Sequence, residues 1–160
     1  MKRIVSVILL LLLLCGCAGE TKVEPVTRGI TFNCEAVYYN ENYECVCDVQ
    51  KNGDMTVQFT WPADIEGLEF SFTKNGVKAH FRDLEYINDK VIFENSVATL
   101  IYDVLSMEEA IVLEEDDVFY TEGVSKDFDY KLQLGATGLP IKITTDPDVA
   151  QIVFKKVKIK

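Results

Sequence analysis

Cysteine and histidine are the residues of this 160-residue sequence most able to carry chemistry, and their spacing limits what they can do. Cys45 and Cys47 are separated by one residue, and the sequence after Cys17 lacks the second pair of cysteines or histidines that a zinc site needs. His80 is the only histidine. It is predicted on the polar face of a strand, opposite Ser71, so no histidine metal cluster or catalytic triad is indicated. We therefore expect no metal and no cofactor.

Acidic residues are densest from Glu114 to Asp117, but their pattern does not indicate a site. The run lacks the alternating oxygen ligands and the glycine of a calcium loop. Acidic runs are usually solvated faces of a protein. The sequence also contains no glycine-rich phosphate loop. By elimination, we expect a protein that is not an enzyme.

Cys17 ends the one stretch whose composition predicts a specific modification. Lys2 and Arg3 precede an unbroken apolar run from Ile4 to Leu14, which has the length of a signal-peptide core and is too short to span a bilayer. The letters LCGC at residues 14–17 resemble the lipobox of bacterial lipoproteins. The resemblance implies that cleavage after residue 16 leaves Cys17 as the lipidated N-terminus.

This N-terminal stretch predicts where the protein acts. We expect export and a lipid anchor on the outer side of the cytoplasmic membrane, or in the outer membrane if the cell is Gram-negative. Removing Lys2 and Arg3 with the signal lowers the formal net charge from −10 to −12. Such a charge repels nucleic acid and anionic head groups, so attachment to the membrane depends on the lipid on Cys17.

Length and composition divide the chain into three predicted segments. Residues 1–16 are the signal peptide, residues 17–27 a lipidated tether, and residues 28–160 one folded domain. The tether is small and polar, without strand or helix periodicity. The remainder is long enough for one hydrophobic core and too short for two domains.

The first predicted hairpin lies around Asn40, Glu41 and Asn42, which separate two segments of alternating polarity. Folding the chain about Asn40 and Glu41 sets Cys34 opposite Cys47. Free cysteine is a common buried residue, so packing is the default interpretation and a disulfide is the alternative. Three cysteines in the mature body allow at most one bridge.

A second hairpin is predicted at Asn75-Gly76, a pair typical of a type I′ turn with positive φ at both residues. That turn pairs Phe72 with Ala79 and places the apolar residues of both strands on one face. An earlier strand, ending at Trp61, alternates in the same way, and its inward residues are expected to include Trp61 itself.

After Asn88 the periodicity changes to that of a helix. Asn95 or Ser96 can cap it, and apolar residues then recur at 3.6-residue spacing to Leu105. Further strands are predicted at Val118 to Tyr120, Asp127 to Leu134, Leu139 to Thr145, and Ala150 to Lys160. The predicted fold class is α+β and mostly β, an antiparallel meander with one main helix.

Three features together resemble the LolA-like superfamily, which includes periplasmic lipoprotein carriers and related lipoproteins. They are the phrase WPADIEGLEFSF, the helix that follows it, and TGLP at residues 137–140 before a closing strand. The resemblance covers most of the chain from Gly29 onward. It implies a strongly curved antiparallel sheet, a half-barrel covered by one main helix over an apolar cavity that takes acyl chains.

Two functions remain open from the sequence. In the first, the concave face of the sheet binds an acyl chain, a lipid or another apolar ligand. The predicted cavity lining is Phe32, Tyr38, Phe59, Trp61, Phe70, Phe72 and Phe81. In the second, these residues fill the core and an exposed face or sheet edge docks another envelope or spore-associated protein. An apolar cavity would favour the first, and a filled core with an exposed apolar patch the second.

Overall fold

The computed structural model describes residues 23–88, 96–107, 110–126 and 128–160. Its strands are β1 (Ile30–Tyr38), β2 (Glu41–Val49), β3 (Met55–Trp61), β4 (Glu69–Thr73), β5 (Gly76–Phe81), β6 (Leu84–Asn88), β7 (Leu113–Glu115), β8 (Val118–Ser125), β9 (Phe128–Leu134), β10 (Pro140–Asp146) and β11 (Ala150–Ile159). Helix α1 (Val97–Leu105) lies between β6 and β7 in the chain, and a short 3₁₀ helix spans Ala63–Ile65. The predicted signal and Cys17 lie outside the described residues.

The strands form one antiparallel sheet in the order β6-β5-β4-β3-β2-β1-β11-β10-β9-β8-β7. All neighbours except β1 and β11 are consecutive in sequence, so most of the sheet is built from local hairpins. The segment that contains α1 leads from one edge strand to the other. The predicted fold class is confirmed: the described chain is mostly β, with one main helix and a sheet that does not close into a barrel.

The core lies on the concave face of the sheet. In β1 every second residue is buried, and the same alternation continues in β3, β4 and β9. Helix α1 packs its apolar side against this face, which buries Val97, Leu100, Ile101, Val104 and Leu105. No helix within the described ranges has the length and apolar character needed to cross a membrane.

The N-cap of α1 is Ser96, whose Oγ accepts a hydrogen bond of 3.1 Å from the backbone N–H of Thr99. The cap satisfies one of the backbone donors that every helix leaves free in its first turn. The predicted helix and its Ser96 cap are therefore confirmed. The other predicted cap, Asn95, lies outside the described residues.

The first hairpin has a different register from the predicted one. Its turn is Tyr39-Asn40, with φ of 49° and 65°, so Cys34 lies opposite Cys45 and not Cys47. Two positive φ values indicate the type I′ geometry that suits a two-residue hairpin. The register moved by two residues, and a shift of two keeps every side chain on its predicted face.

The second hairpin shows the same kind of difference. Thr73 pairs with Gly76 and Phe72 pairs with Val77, so the turn is Lys74-Asn75 and the predicted type I′ turn at Asn75-Gly76 is wrong. Gly76, with φ of 136°, is the residue of this turn that has positive φ. The Thr73 hydroxyl stabilises this turn by accepting a hydrogen bond of 3.2 Å from the Asn75 N–H. The predicted faces are again preserved.

Trp61 does not lie on the concave face. Cys45 pairs with Phe59 but Glu44 pairs with Trp61, so Thr60 is an extra residue in β3. Such a β-bulge interrupts the alternation of faces. It places Trp61 beside Glu44 on the outer face, where the tryptophan side chain is 52% exposed. The expectation that Trp61 points inward is therefore wrong.

The first described residues lie against the body of the domain. The Val26 N–H donates a hydrogen bond of 2.9 Å to the Gly138 carbonyl. A Cβ atom at Gly138 would lie 1.9 Å from the Glu24 carbonyl oxygen, and Gly138 has φ of +78°. Residues 23–27 have no regular secondary structure, as predicted for the tether, but this end of it is packed.

Candidate functional site

Six of the seven predicted lining residues share the concave face. Phe32, Tyr38, Phe59, Phe70 and Phe72 are buried there, while Phe81 is half-buried. They come from β1, β3, β4 and β5, so the sheet brings together side chains that are far apart in sequence. Trp61, the seventh, lies on the outer face.

The buried aromatic residues pack on one another and on α1. The Phe59 and Phe70 ring centroids are 6.2 Å apart in an edge-to-face contact, and Phe70 stacks on Phe72 at 6.1 Å. Tyr102 of α1 stacks on Phe72 at 4.6 Å, with 12° between the ring planes. The helix therefore covers this part of the face, and a ligand could reach the Phe72 ring only by displacing Tyr102.

The concave face has an end that the helix does not cover. Phe81 pairs with Leu84 and Ala79 pairs with Tyr86, so both β6 residues point to the concave side. Leu84 is 74% exposed and Tyr86 is 49% exposed. We call Phe81, Leu84 and Tyr86 the exposed concave end. The Asn88 amide donates a 2.8 Å hydrogen bond to the Tyr86 hydroxyl.

The alternation of β6 was present in the sequence, but the strand was not predicted. Leu84, Tyr86 and Asn88 lie on one face, with Glu85 and Ile87 on the other. Only two of these five residues are aliphatic, and the strand has one neighbour in the described sheet. A period-2 signal this short is weak unless its pairing partner is known.

Polar groups line the interface between α1 and the β8–β9 hairpin. Ser125 donates a 2.8 Å hydrogen bond to Asp103, and the Tyr130 hydroxyl donates to the Met107 sulfur. Burial, followed by the nearby Asp103 carboxylate, raises the pKa of Tyr130. The buried hydroxyls of Ser106 and Thr121 have no hydrogen-bond partner within the described part of the chain. Polar contacts therefore contribute to the packing of the helix on this part of the sheet.

Several spaces border the described residues of the domain, including one of about 280 Å³ lined in part by Cys34, Cys45 and Thr60. An open groove of about 470 Å³ lies between residues 24–28 and the segment after α1, at Met107 and Ala110. A second groove, of about 590 Å³, lies on the outer face over β8, β9 and β10. Tyr38 borders a space of about 10 Å³ beneath α1, enough for one water molecule. Burial raises the pKa of the Tyr38 hydroxyl to about 12.

A cluster of three thiols lies on the concave side of β1 and β2. The Sγ atoms of Cys34, Cys45 and Cys47 all lie within 4.8 Å of one another, and all three residues are buried. The Cys34 and Cys45 sulfurs are 2.8 Å apart. The strand neighbours of this thiol cluster are apolar, because Phe59 pairs with Cys45 and Val57 pairs with Cys47.

The three thiols influence one another's ionisation. Hydrogen bonds from Cys45 and then Cys47 lower the pKa of Cys34. The hydrogen bond to Cys34 raises the pKa of Cys45, and burial raises the pKa of Cys47 well above its usual value. These directions mean that the cluster opposes the loss of more than one proton.

The remaining candidates stay on the surface. His80 is exposed and lies opposite Glu69, not opposite Ser71 as predicted. The acidic residues Glu114 to Asp117 are exposed, as expected for a solvated run. Asp116 and Asp117 both have positive φ and form the turn between β7 and β8.

Comparison with known proteins identifies the fold. No family model matches the sequence, and no curated protein matches it. The solved structure of an uncharacterized conserved protein from Thermus thermophilus aligns over 84% of this chain and 80% of its own, with 15% identity and a TM-score of 0.57. At this identity the likeness concerns the fold.

Two further solved structures align over most of the chain. One is a LolA superfamily protein from Nitrosomonas europaea, with 10% identity, coverage of 82% of this chain and 84% of its own, and a TM-score of 0.46. The other, from Vibrio parahaemolyticus, is described as an outer membrane lipoprotein-sorting protein domain, with 11% identity, coverage of 86% and 87%, and a TM-score of 0.48.

Proposed function

We propose that the protein is a membrane-anchored bacterial envelope lipoprotein, without enzymatic activity, that binds an acyl chain or another apolar ligand on the concave face of its sheet. The observation that carries the proposal is the exposed concave end. There the apolar inner face of the sheet continues past the helix and meets solvent at Phe81, Leu84 and Tyr86.

The exposed concave end is continuous with the buried aromatic face. Ala79 pairs with Tyr86 on one side and with Phe70 on the other, so one residue separates the two regions across the sheet. An apolar chain that lies on Leu84 and Tyr86 would extend the existing core. A single nine-residue helix covers the described part of an eleven-stranded sheet. Within the part of the chain that the structure describes, the concave face is thus exposed at the β6 edge.

The ligand class follows from the chemistry of the surface. The three side chains are apolar or aromatic, and the Arg82 guanidinium lies 4.8 Å from the centroid of the Phe81 ring. A cation beside an apolar surface suits a ligand with a hydrocarbon chain and an anionic head, such as a fatty acid. The proposed site therefore lies at Phe81, Leu84 and Tyr86, beside the buried Phe70, and the other predicted lining residues lie farther inside.

Displacement of a fluorescent fatty acid, kept below its micelle concentration, tests the proposal. We expect saturable binding that Leu84→Ser weakens by about tenfold or more, because burying a leucine side chain contributes roughly 1.5–3 kcal/mol. The matched control is Val124→Ser, since Val124 is 70% exposed but lies on the outer face of β8. Equal loss in both variants, or no saturable binding by the folded wild type, would refute the ligand site.

The membrane anchor is a separate part of the proposal and rests on residues 1–17. Cys17→Ser should release the protein from membranes or leave its signal uncleaved, whereas Cys15→Ser should do neither. Fractionation of membranes and mass spectrometry of the N-terminal peptide measure both outcomes. An acylated, processed Cys17→Ser protein that still sediments with membranes would contradict the assignment.

A second candidate function is docking of another envelope protein at the same edge. Tyr102 packs on Phe72 and fills the face beneath α1, while Leu84 and Tyr86 remain exposed; a filled core with an exposed apolar patch is the arrangement expected of a docking protein. The position of β6 as an edge strand of the described sheet also favours docking. Substitutions at Ile87 distinguish the two functions, because its side chain is 66% exposed on the outer face of β6 and its backbone belongs to the edge strand. Ile87→Pro should weaken strand addition to this edge, whereas Ile87→Ser should leave fatty-acid binding on the concave face unchanged.

A further inference from the structure

The thiol cluster is not used by the proposed ligand site, and its geometry supports a specific modification. We infer that Cys34 and Cys45 form a cross-strand disulfide when the chain folds in an oxidising compartment, and that Cys47 remains a buried free thiol. The oxidising compartment rests on the proposed export, but the pairing rests on geometry within the folded domain.

The register of the first hairpin selects this pair. Cys34 and Cys45 lie directly opposite each other on β1 and β2, with their sulfurs 2.8 Å apart. Opposed residues of an antiparallel ladder have Cα atoms about 4.5–5.5 Å apart, inside the range that a disulfide accepts. Cys47 follows Cys45 by two residues on one strand, a spacing of about 6.6–6.8 Å with side chains that run parallel. Cys45 and Cys47 are therefore the poorer pair.

A bound metal fits the cluster less well than a disulfide. Structural zinc takes four ligands, whereas three sulfurs with apolar neighbours are described here. Metal ligation requires thiolates, and three thiolates around one divalent cation would leave a net charge of −1 in apolar surroundings beside Phe59 and Val57. A disulfide is neutral, so it suits the apolar surroundings.

The bond forms by thiol–disulfide exchange with an oxidised dithiol, such as the disulfide of an exported thiol oxidase or oxidised glutathione. The Cys34 thiolate attacks one sulfur of the oxidant, which releases one thiol and leaves a mixed disulfide on Cys34. The Cys45 thiolate then attacks the Cys34 sulfur and releases the second thiol. Two electrons and two protons pass to the oxidant. Since the cysteines are buried, the exchange takes place as the hairpin folds, before the core excludes the oxidant.

The test uses the full chain, purified from the membranes of an exporting host. The protein is unfolded, reduced, and refolded with oxidised and reduced glutathione. N-ethylmaleimide is then added under denaturing conditions, and fragment spectra of the Gly29–Lys51 peptide assign each cysteine. We expect label on Cys47 and a bond between Cys34 and Cys45. Cys47→Ala should keep the bond and the higher melting temperature that the bond gives over the reduced protein. Cys45→Ala should lose both.

Three results would overturn the inference, and none of them requires a variant to fold. They are a wild-type bond between Cys34 and Cys47, label on all three cysteines after refolding with oxidised glutathione, and a stoichiometric metal ion that protects all three thiols until it is chelated. Because refolding with glutathione does not depend on export, a bond found only in vitro would contradict the proposed location and leave the pairing intact.

Discussion

Gly138 illustrates how a single residue can join the N-terminal segment to the sheet. Its φ of +78° is strained for residues with a Cβ, and a Cβ there would also collide with the Glu24 carbonyl oxygen. Gly67 has a similar φ, +85°, but a Cβ at that position would have no atom within 4 Å. Comparing a substitution at each of the two glycines therefore separates the cost of backbone strain from the cost of steric contact.

We expect Gly138→Ala to lower the free energy of unfolding clearly more than Gly67→Ala. Backbone strain should cost each variant about 1 kcal/mol, and displacement of the Glu24 segment adds to the cost at Gly138 only. Urea denaturation of both variants measures the difference. Equal losses would mean that residues 24–27 are not packed on the Gly138 turn in solution.

Trp61 is the second residue for which the structure makes a direct prediction. Because its side chain is 52% exposed beside Glu44, acrylamide should quench its fluorescence in the folded protein almost as well as after unfolding. Fatty acid that binds on the concave face should leave that fluorescence unchanged. Strong protection from acrylamide in the native state would place Trp61 inside and contradict the bulge at Thr60.

At the scale of elements, sequence reasoning recovered faces better than registers. Both predicted hairpins exist, and their inward residues are the predicted ones, because alternation of polarity fixes the face of a strand. Both turns lie one residue earlier than predicted, at Tyr39-Asn40 and Lys74-Asn75. A tyrosine with positive φ is uncommon, and the Asn-Gly pair suggested a turn that the chain does not use.

Two kinds of feature could not be predicted from local pattern. The extra residue Thr60 becomes visible only when β3 is paired with β2, since the alternation before it is regular. The strands β6 and β7 are short and mostly exposed at the edges of the described sheet, so their sequences contain few of the alternating buried apolar residues from which a strand is predicted. The thiol cluster follows from the register of β1 and β2, which places Cys34 opposite Cys45.

Helix α1 depends on its cap, because nine residues are too few to be stable without help from packing and capping. Ser96→Ala removes the acceptor for the Thr99 N–H and should lower the free energy of unfolding by about 1 kcal/mol. Ser96→Asp restores an acceptor at the positive end of the helix and should recover most of the loss. A Ser96→Asp variant as unstable as Ser96→Ala would show that the hydroxyl contributes through packing instead.

At the scale of the molecule, the pairing of β1 with β11 holds the two halves of the chain together. The other strand neighbours are consecutive in sequence, whereas residues near 34 meet residues near 154. Phe32 of β1 and Phe154 of β11 reinforce this junction through an edge-to-face contact, with centroids 4.8 Å apart. The two ends of the described domain therefore meet at the centre of its sheet.

This arrangement predicts a gradient of amide hydrogen exchange across the sheet. Amides of β1 and of residues 151–153 in β11 have strand neighbours on both sides and a buried face, so they should exchange only through global unfolding. Amides of β6, an exposed edge strand, should exchange by local opening at least tenfold faster. Exchange followed by mass spectrometry over increasing urea distinguishes the two classes, because global exchange accelerates with denaturant and local exchange does not. If β6 proved as protected as β1 in the ligand-free protein, its edge would be covered, and Leu84 could not offer the apolar surface on which the proposed binding depends.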